Sequence, residues 1–195
     1  MKVNRLLILF ATTALLANNV HAKDSLWSQV VNELAPRSQQ VPATGNLEIA
    51  FSPKSGATDL VVKVINSAKK SVRLAAYSFT SKSIAEALVA AYKRGIDVQV
   101  VVDKSQKTEK YSSATFLANM SIPVRVDSMH AIMHNKFIVV DKQTVENGSF
   151  NYTSAAEERN AENALVNWNN PKLAEIYTAN WNEHWNHSEP YQANR

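Results

Sequence analysis

From Leu47 onward the apolar positions alternate between two periods. Short apolar runs are separated by stretches in which they recur every three or four residues. "LEIAFSP" reads as a strand with Ile49 and Phe51 on one face. "GATDLVVKVINSAKK" reads as a helix whose apolar stripe is Leu60, Val61, Val64, Ile65 and Ala68. "SVRLAAYSFT" is almost continuously apolar, as a strand covered on both faces would be. "SKSIAEALVAAYKRG" predicts a helix capped by Ser81 or Ser83, with Gly95 at the C′ position. The strand "IDVQVVVDK", the short helix "SSATFLANM" and the strand "IPVRVD" follow. "KFIVVD" and "TVENGSF" are strands, "SAAEER" is a helical turn, and "AENALVNW" is a strand. "NPKLAEIYTANWNEHWNH" is a terminal helix carrying Leu173, Ile176, Tyr177 and Trp181 on one face.

This alternation predicts an α/β domain: a mixed, largely parallel β-sheet flanked by helices on both faces. The short links between the later strands make part of that sheet antiparallel.

The first residues follow a different pattern. "MKVNRLLILFATTALLANNVHA" places Lys2 and Arg5 before the apolar run Leu6 to Ala17, then Val20-His21-Ala22. That is the layout of an export leader cleaved after Ala22, and the run is too short for a typical membrane span. Residues 1–22 are therefore expected to be a signal peptide and the product periplasmic or secreted, with no stable membrane span. Residues 23–46 read as an N-terminal extension and linker. Leu26, Val30, Val31 and Leu34 form a helical face, Pro36 ends it, and a polar run leads to Gly45. The domain proper is expected over 47–188, with a tail at 189–195.

With 195 residues, 45% of them hydrophobic, the chain is long enough for one buried core. The formal charge of +4 falls to +2 once Lys2 and Arg5 leave with the leader. So mild a charge permits an anionic partner without demanding one. The absence of cysteine excludes disulfides and any thiolate nucleophile or metal ligand.

The candidate chemistry lies in "MHNKFIVVDKQTVENGSFN". Residues two apart in a strand share a face, so His134 and Lys136 point the same way, about 7 Å apart along the backbone. Ser149 and Asn151 form a second such pair, and Gly148 permits a close backbone approach. Histidine supplies a nucleophile or acid/base, lysine a point charge for phosphate, and Ser and Asn neutral donors. Together they describe a phosphoryl site without a metal. Taken singly, each residue has a blander reading, as a packed histidine or a solvated edge lysine.

The spacing His134-x-Lys136-x4-Asp141, then Gly148-Ser149-x-Asn151, resembles the phospholipase D superfamily. Glu162 in "AENA" matches the family's downstream acidic position. "AAYSFTSKSIAEALVAAYKRGIDVQVVVD" is similar to the strand-helix-strand that precedes the motif. The likeness spans about Leu47 to Trp185 and is nearest to the small bacterial, Nuc-like endonuclease branch.

The resemblance implies site residues His134, Lys136, Asp141, Ser149, Asn151 and Glu162, no cofactor, and two motif copies meeting across a two-fold axis. One histidine attacks phosphorus and forms a phosphohistidine. The other protonates the leaving alcohol and then activates water. This chain has one copy: His130, His184 and His187 have no lysine two residues later, and His21, two before Lys23, lies in the expected leader and has Ser28, not Asp, at the motif's acidic position. A homodimer completing the active site is therefore expected. Lys136, Ser149 and Asn151 are assigned to the phosphate, and Glu162 to a ring nitrogen of His134. Asp141, roughly 16 Å from His134 along an extended strand, is read as a structural part of the motif.

Three substrate readings follow. The first is a non-specific nuclease for DNA, extending to RNA, with Lys54, Lys82, Lys104, Lys107, Lys110 and Arg159 near flanking phosphates. The second is a phospholipase D acting on phosphatidyl lipids. The third is a binding protein without turnover. Metal binding is not expected: His130-x3-His134 has ligand spacing but lies on strand and loop, with no clear third ligand. His184 and His187 read as fraying surface histidines of the last helix. Asp103 and Asp127 end strands near the active edge and read as peripheral.

Overall fold

The computed structural model of the chain describes residues 38–109 and 111–192. The leader, its cleavage point, the helix expected from Leu26 to Leu34, and Lys110 lie outside the described residues. The chain divides into two units, Met1–Gln40 and Val41–Arg195. Residues 38–40 of the first form neither helix nor strand. All that follows concerns the second.

Its elements run in the expected order: β1 (Asn46–Ser52), α1 (Ala57–Ser67), β2 (Ser71–Ala76), α2 (Lys82–Lys93) and β3 (Asp97–Asp103). A 3-10 turn (Lys104–Lys107) leads to α3 (Ser113–Asn119) and β4 (Val124–Asp127). Then come β5 (Lys136–Val140), β6 (Thr144–Gly148), α4 (Ser154–Glu158), β7 (Glu162–Trp168), α5 (Pro171–His187) and β8 (Glu189–Pro190). Local chemistry explains the ends. Ser81 Oγ accepts the Ile84 N–H at the start of α2, and Gly95, at φ 85°, follows its C-cap. The sheet runs past the boundary expected at 188, because Arg125 and Val126 of β4 pair with Pro190 and Glu189.

The eight strands form one mixed sheet in the order β1-β7-β6-β5-β2-β3-β4-β8. The expectation of a mixed α/β sheet between helices holds, but its largely parallel character does not. Of these strands only β2-β3-β4 are parallel, joined by crossovers through α2 and α3; every other pairing between named strands is antiparallel. The physical reason is link length. Asp141, Lys142 and Gln143 alone separate β5 from β6, too few to return to the far end of the sheet. Asp141 and Lys142 sit at φ 54° and 56°, and the Gln143 N–H donates to Val140 O at 3.0 Å, which closes a tight hairpin.

Strand alternation sends side chains to two cores. Leu74, Val100 and Ile138 pack with the apolar stripes of α1, α2 and α3. Ala75, Val101, Phe137 and Val139 pack on the other face against α5. The five residues of the α1 stripe are all buried, as the periodicity predicts. Trp181 anchors α5 by donating Nε1–H to Leu74 O at 3.0 Å. On edge strand β1, Leu47, Ile49 and Phe51 share a face, and it points outward: they are 67%, 54% and 54% exposed. Among the described residues, no helix is long and apolar enough to cross a membrane.

Candidate active site

The register brings several chain ends to one edge of the sheet. Ala76, last in β2, pairs with Lys136, first in β5. Phe137 pairs with Asn147 near the end of β6, and Gly148 pairs with Ala164 near the start of β7. The C-terminal ends of β3 and β4 meet at the same edge, where Asp103 pairs with Asp127. His134, Lys136, Ser149, Asn151 and Glu162 all belong to this edge.

His134 is exposed in the loop preceding β5, while Lys136 is only 8% exposed. The Lys136 ammonium donates to the His134 carbonyl at 2.8 Å and lies 3.0 Å from Nδ1 of its ring. It also lies 3.3 Å from Nε2, so the ammonium sits against both ring nitrogens. Attack on phosphorus requires the neutral form of this imidazole. Burial pulls the Lys136 pKa below the usual lysine value, opposed by the negative charge of Glu162. The Tyr77 ring lies 4.5 Å from the His134 ring, and Lys136 Nζ lies 5.5 Å from the Tyr77 centroid. Tyr77 therefore buttresses both residues, and its N–H donates to Asn135 O at 3.0 Å.

Two further anchors hold the loop. Met133 is buried in the core beneath α5, and its N–H donates to Asp103 Oδ2 at 2.8 Å. Asp103 uses its other oxygen to cap the following 3-10 turn at Ser105 N. Asp103 and Tyr77 are positioning residues that sequence reasoning missed as such. Their only signal was their place at the ends of apolar strands.

The remaining motif residues divide. Gly148 is required by its neighbour: a Cβ there would meet Asn163 O at 2.1 Å. Ser149 Oγ accepts the Asn163 N–H at 3.1 Å, tying the segment after β6 to β7. Asn151 Oδ1 is buried and makes no hydrogen bond within the described residues. The expected contact between Glu162 and His134 is not made. Glu162 accepts from Asn160 Nδ2 at 3.0 Å and acts on Lys136 through its charge. Asp141 lies at the opposite end of β5, where its carboxylate accepts the N–H groups of Lys69, Lys70 and Ser71 at 2.8, 2.7 and 2.8 Å. It closes the α1–β2 loop onto the hairpin, so its place among the catalytic residues is corrected to a structural one.

Of the basic residues considered for substrate contact, Lys54, Lys82 and Lys107 pair with Glu158, Glu86 and Glu189. Lys104 donates to His130 O at 3.1 Å, and Arg159 is exposed.

The histidines outside the motif depart from their reading. His184 is buried, and Asp127 is fully buried rather than peripheral. Asp127 Oδ2 lies 3.0 Å from His130 Nδ1, 2.7 Å from His184 Nδ1 and 3.0 Å from His187 Nε2. These bonds, with one from the Met129 N–H, hold the Asp127 carboxyl far below the usual carboxylate range against the opposing effect of burial.

Comparison with known proteins supplies a frame. The sequence model described as "Cardiolipin synthase, PLD-like domain" matches residues 61–185. The chain is 38% identical over 136 residues to a protein named Phospholipase D from Rickettsia prowazekii (strain Madrid E), covering 70% of this chain and 66% of that one. It is 30% identical over 136 residues to the mitochondrial cardiolipin hydrolase of Xenopus laevis, covering 70% of this chain and 64% of that protein. The chain thus spans just under two thirds of the length of these curated relatives. Among solved structures, Nuc from Salmonella typhimurium, a phospholipase D family member, is 48% identical with a TM-score of 0.73. That match covers 75% of this chain and 98% of that one.

Proposed function

The chain belongs to the phospholipase D superfamily, and from that premise we propose that it is a metal-independent phosphodiester hydrolase, an endonuclease that cuts DNA with little sequence preference. The observation that carries this reading is the His134–Lys136 contact: an exposed imidazole beside a buried ammonium. A ring nitrogen of His134 attacks phosphorus, so that an N–P bond forms as the P–O bond to the leaving alcohol breaks. His134 of the partner subunit in a homodimer gives its proton to the leaving oxygen. It then takes a proton from water, whose oxygen attacks phosphorus and breaks the N–P bond. Lys136 and the Asn151 Nδ2–H donors stabilise the charge developing on the non-bridging oxygens. Met129 and Ile132, 71% and 57% exposed in the loop before His134, give the second copy an apolar surface to cover. The proposal includes export: residues 1–22 would act as a leader, and N-terminal sequencing of exported protein, expected to begin at Lys23, would check it.

The same exposed Met129 and Ile132 favour a second reading, a phospholipase D working at a lipid surface. The names of the curated relatives point the same way. Plasmid cleavage in excess EDTA, beside His134→Ala, separates the two. Nicking by the wild type, weakened by salt and lost by ~10³-fold or more in the variant, supports the nuclease. Sedimentation should find two chains, and a fully active monomer would overturn the shared site. Head-group release from phosphatidyl-lipid micelles without plasmid cleavage would move the assignment to lipid.

A further inference from the structure

The structure carries a second cluster of chemistry-bearing side chains, and the phosphodiester reaction uses none of them. Asp127 ends β4, and His130 follows it in the loop. His184 and His187 lie one turn apart on the last turns of α5. One ligand atom from each of the four lies within 4.8 Å of all the others. Three imidazole nitrogens converge on a single carboxylate oxygen, more donors than its two lone pairs need, at a residue with no exposed surface. The packing of α5 positions two of these ligands. The Trp181 and Trp185 rings stack at 4.8 Å, with Arg73 over the first and Arg125 over the second. That seats the helix so that its next residues meet the end of β4.

We propose that Asp127, His130, His184 and His187 form a binding site for one divalent transition-metal ion of the zinc type, which clamps the end of α5 to the loop that carries His134. Three imidazoles and one carboxylate are a donor set that suits zinc, with no thiolate required. In a tetrahedral site with bonds of about 2.0 Å, neighbouring ligand atoms stand roughly 3.3 Å apart. The observed nitrogen–oxygen separations of 2.7 to 3.0 Å must open by a few tenths of an ångström, and the wider separations in the set, up to 4.8 Å, must close. His130, whose side chain is 43% exposed, provides that freedom and the entry path.

The surroundings supply an outer shell. Asn135 Nδ2 lies 3.0 Å from His184 Nε2. When Nδ1 binds a metal, Nε2 carries the proton, and the Asn135 amide turns to present its oxygen. Asn135 stands between His134 and Lys136, so the clamp reaches the motif through one side chain. The ion would join segments 57 and 60 residues apart in the chain, and its binding energy would add to folding stability. It takes no part in the chemistry, which therefore continues in EDTA.

Cobalt titration tests this without reference to any substrate. Untagged protein, stripped with chelator and dialysed, is titrated with Co²⁺ while its visible d–d absorption is recorded. The expected result is one saturable equivalent with the intense bands of a tetrahedral site, displaced by Zn²⁺. His130→Ala and His187→Ala, at partly exposed positions, should each weaken binding by ~100-fold or more while the circular dichroism stays native. Asn135→Ala should weaken it by ~10-fold or more. His134→Ala should bind as the wild type does, which separates this site from the catalytic one. Zn²⁺ should raise the melting temperature of the wild type and leave that of His130→Ala unchanged. The absence of a saturable band in the wild type, or a band retained in both folded histidine variants, would overturn the proposal.

Discussion

Lys136 Nζ lies 3.0 Å from Nδ1 of His134 and donates to the same residue's carbonyl oxygen at 2.8 Å, so one buried ammonium positions both the ring and the backbone of the proposed nucleophile. Lys136→Met keeps the apolar stem and removes the charge. It should lower kcat by ~10²–10³-fold with a smaller effect on KM, because the charge is needed most in the transition state. Burial lowers the Lys136 pKa, so activity should fall as pH rises through a value below 10.5, the ordinary lysine pKa. Lys136→Arg should not rescue, since a planar guanidinium does not fit a niche built around a compact ammonium. Steady-state rates across the alkaline range check all three points.

Asp141 should separate from the other motif residues. Asp141→Asn keeps a side chain that tolerates φ 54° but weakens three bonds from the N–H groups of Lys69, Lys70 and Ser71. The expected cost is ~2 kcal/mol of stability, read by urea unfolding. Turnover per folded molecule, measured well below the melting temperature, should stay within about threefold of the wild type. A loss comparable to that of Lys136→Met would show that Asp141 serves the chemistry directly.

Gly148→Ala should be damaging without touching substrate. The new Cβ would stand 2.1 Å from the Asn163 carbonyl oxygen, so β6 and β7 must separate. A destabilisation of ~1–3 kcal/mol is expected, as for overpacking elsewhere. The strain falls on the link through which Asn163 N–H reaches Ser149, so activity should fall along with the melting temperature.

Glu146 is buried in the core beside Tyr152, whose hydroxyl donates to it at 2.6 Å, and burial pushes its pKa up to about 8. Its folded value lies above the ordinary 4.5, so the folded state holds a proton that the unfolded chain loses. The stabilisation is complete below pH 4.5 and is lost as pH rises toward 8, by up to ~1.4 kcal/mol per pH unit. Glu146→Gln retains an acceptor for Tyr152 without the charge. Its stability should therefore lack this slope and exceed that of the wild type at pH 8. The difference between the two proteins, followed by denaturation from about pH 5 to pH 8, isolates this one group.

Much was determined locally, and that part was legible in the chain. The stripe Leu60 to Ala68, the Ser81 cap and Gly95 after α2 follow from periodicity and capping chemistry, which act over a few residues. The same holds for His134 and Lys136, whose two-residue spacing limits their separation, and for Asp141, whose distance along β5 already argued for a structural role. Strand order was decided only in three dimensions. The three-residue link after β5 turns the sheet antiparallel, and no local pattern states which strands it then meets. The partners that hold the site come from that order. Asp103 reaches Met133, and Tyr77 reaches His134, because β3, β2 and β5 end at one edge. Asp127 gathers His184 and His187 because α5 crosses the sheet and ends above β4. A carboxylate and imidazoles some sixty residues apart carry no shared signal in the chain; their meeting is a product of packing.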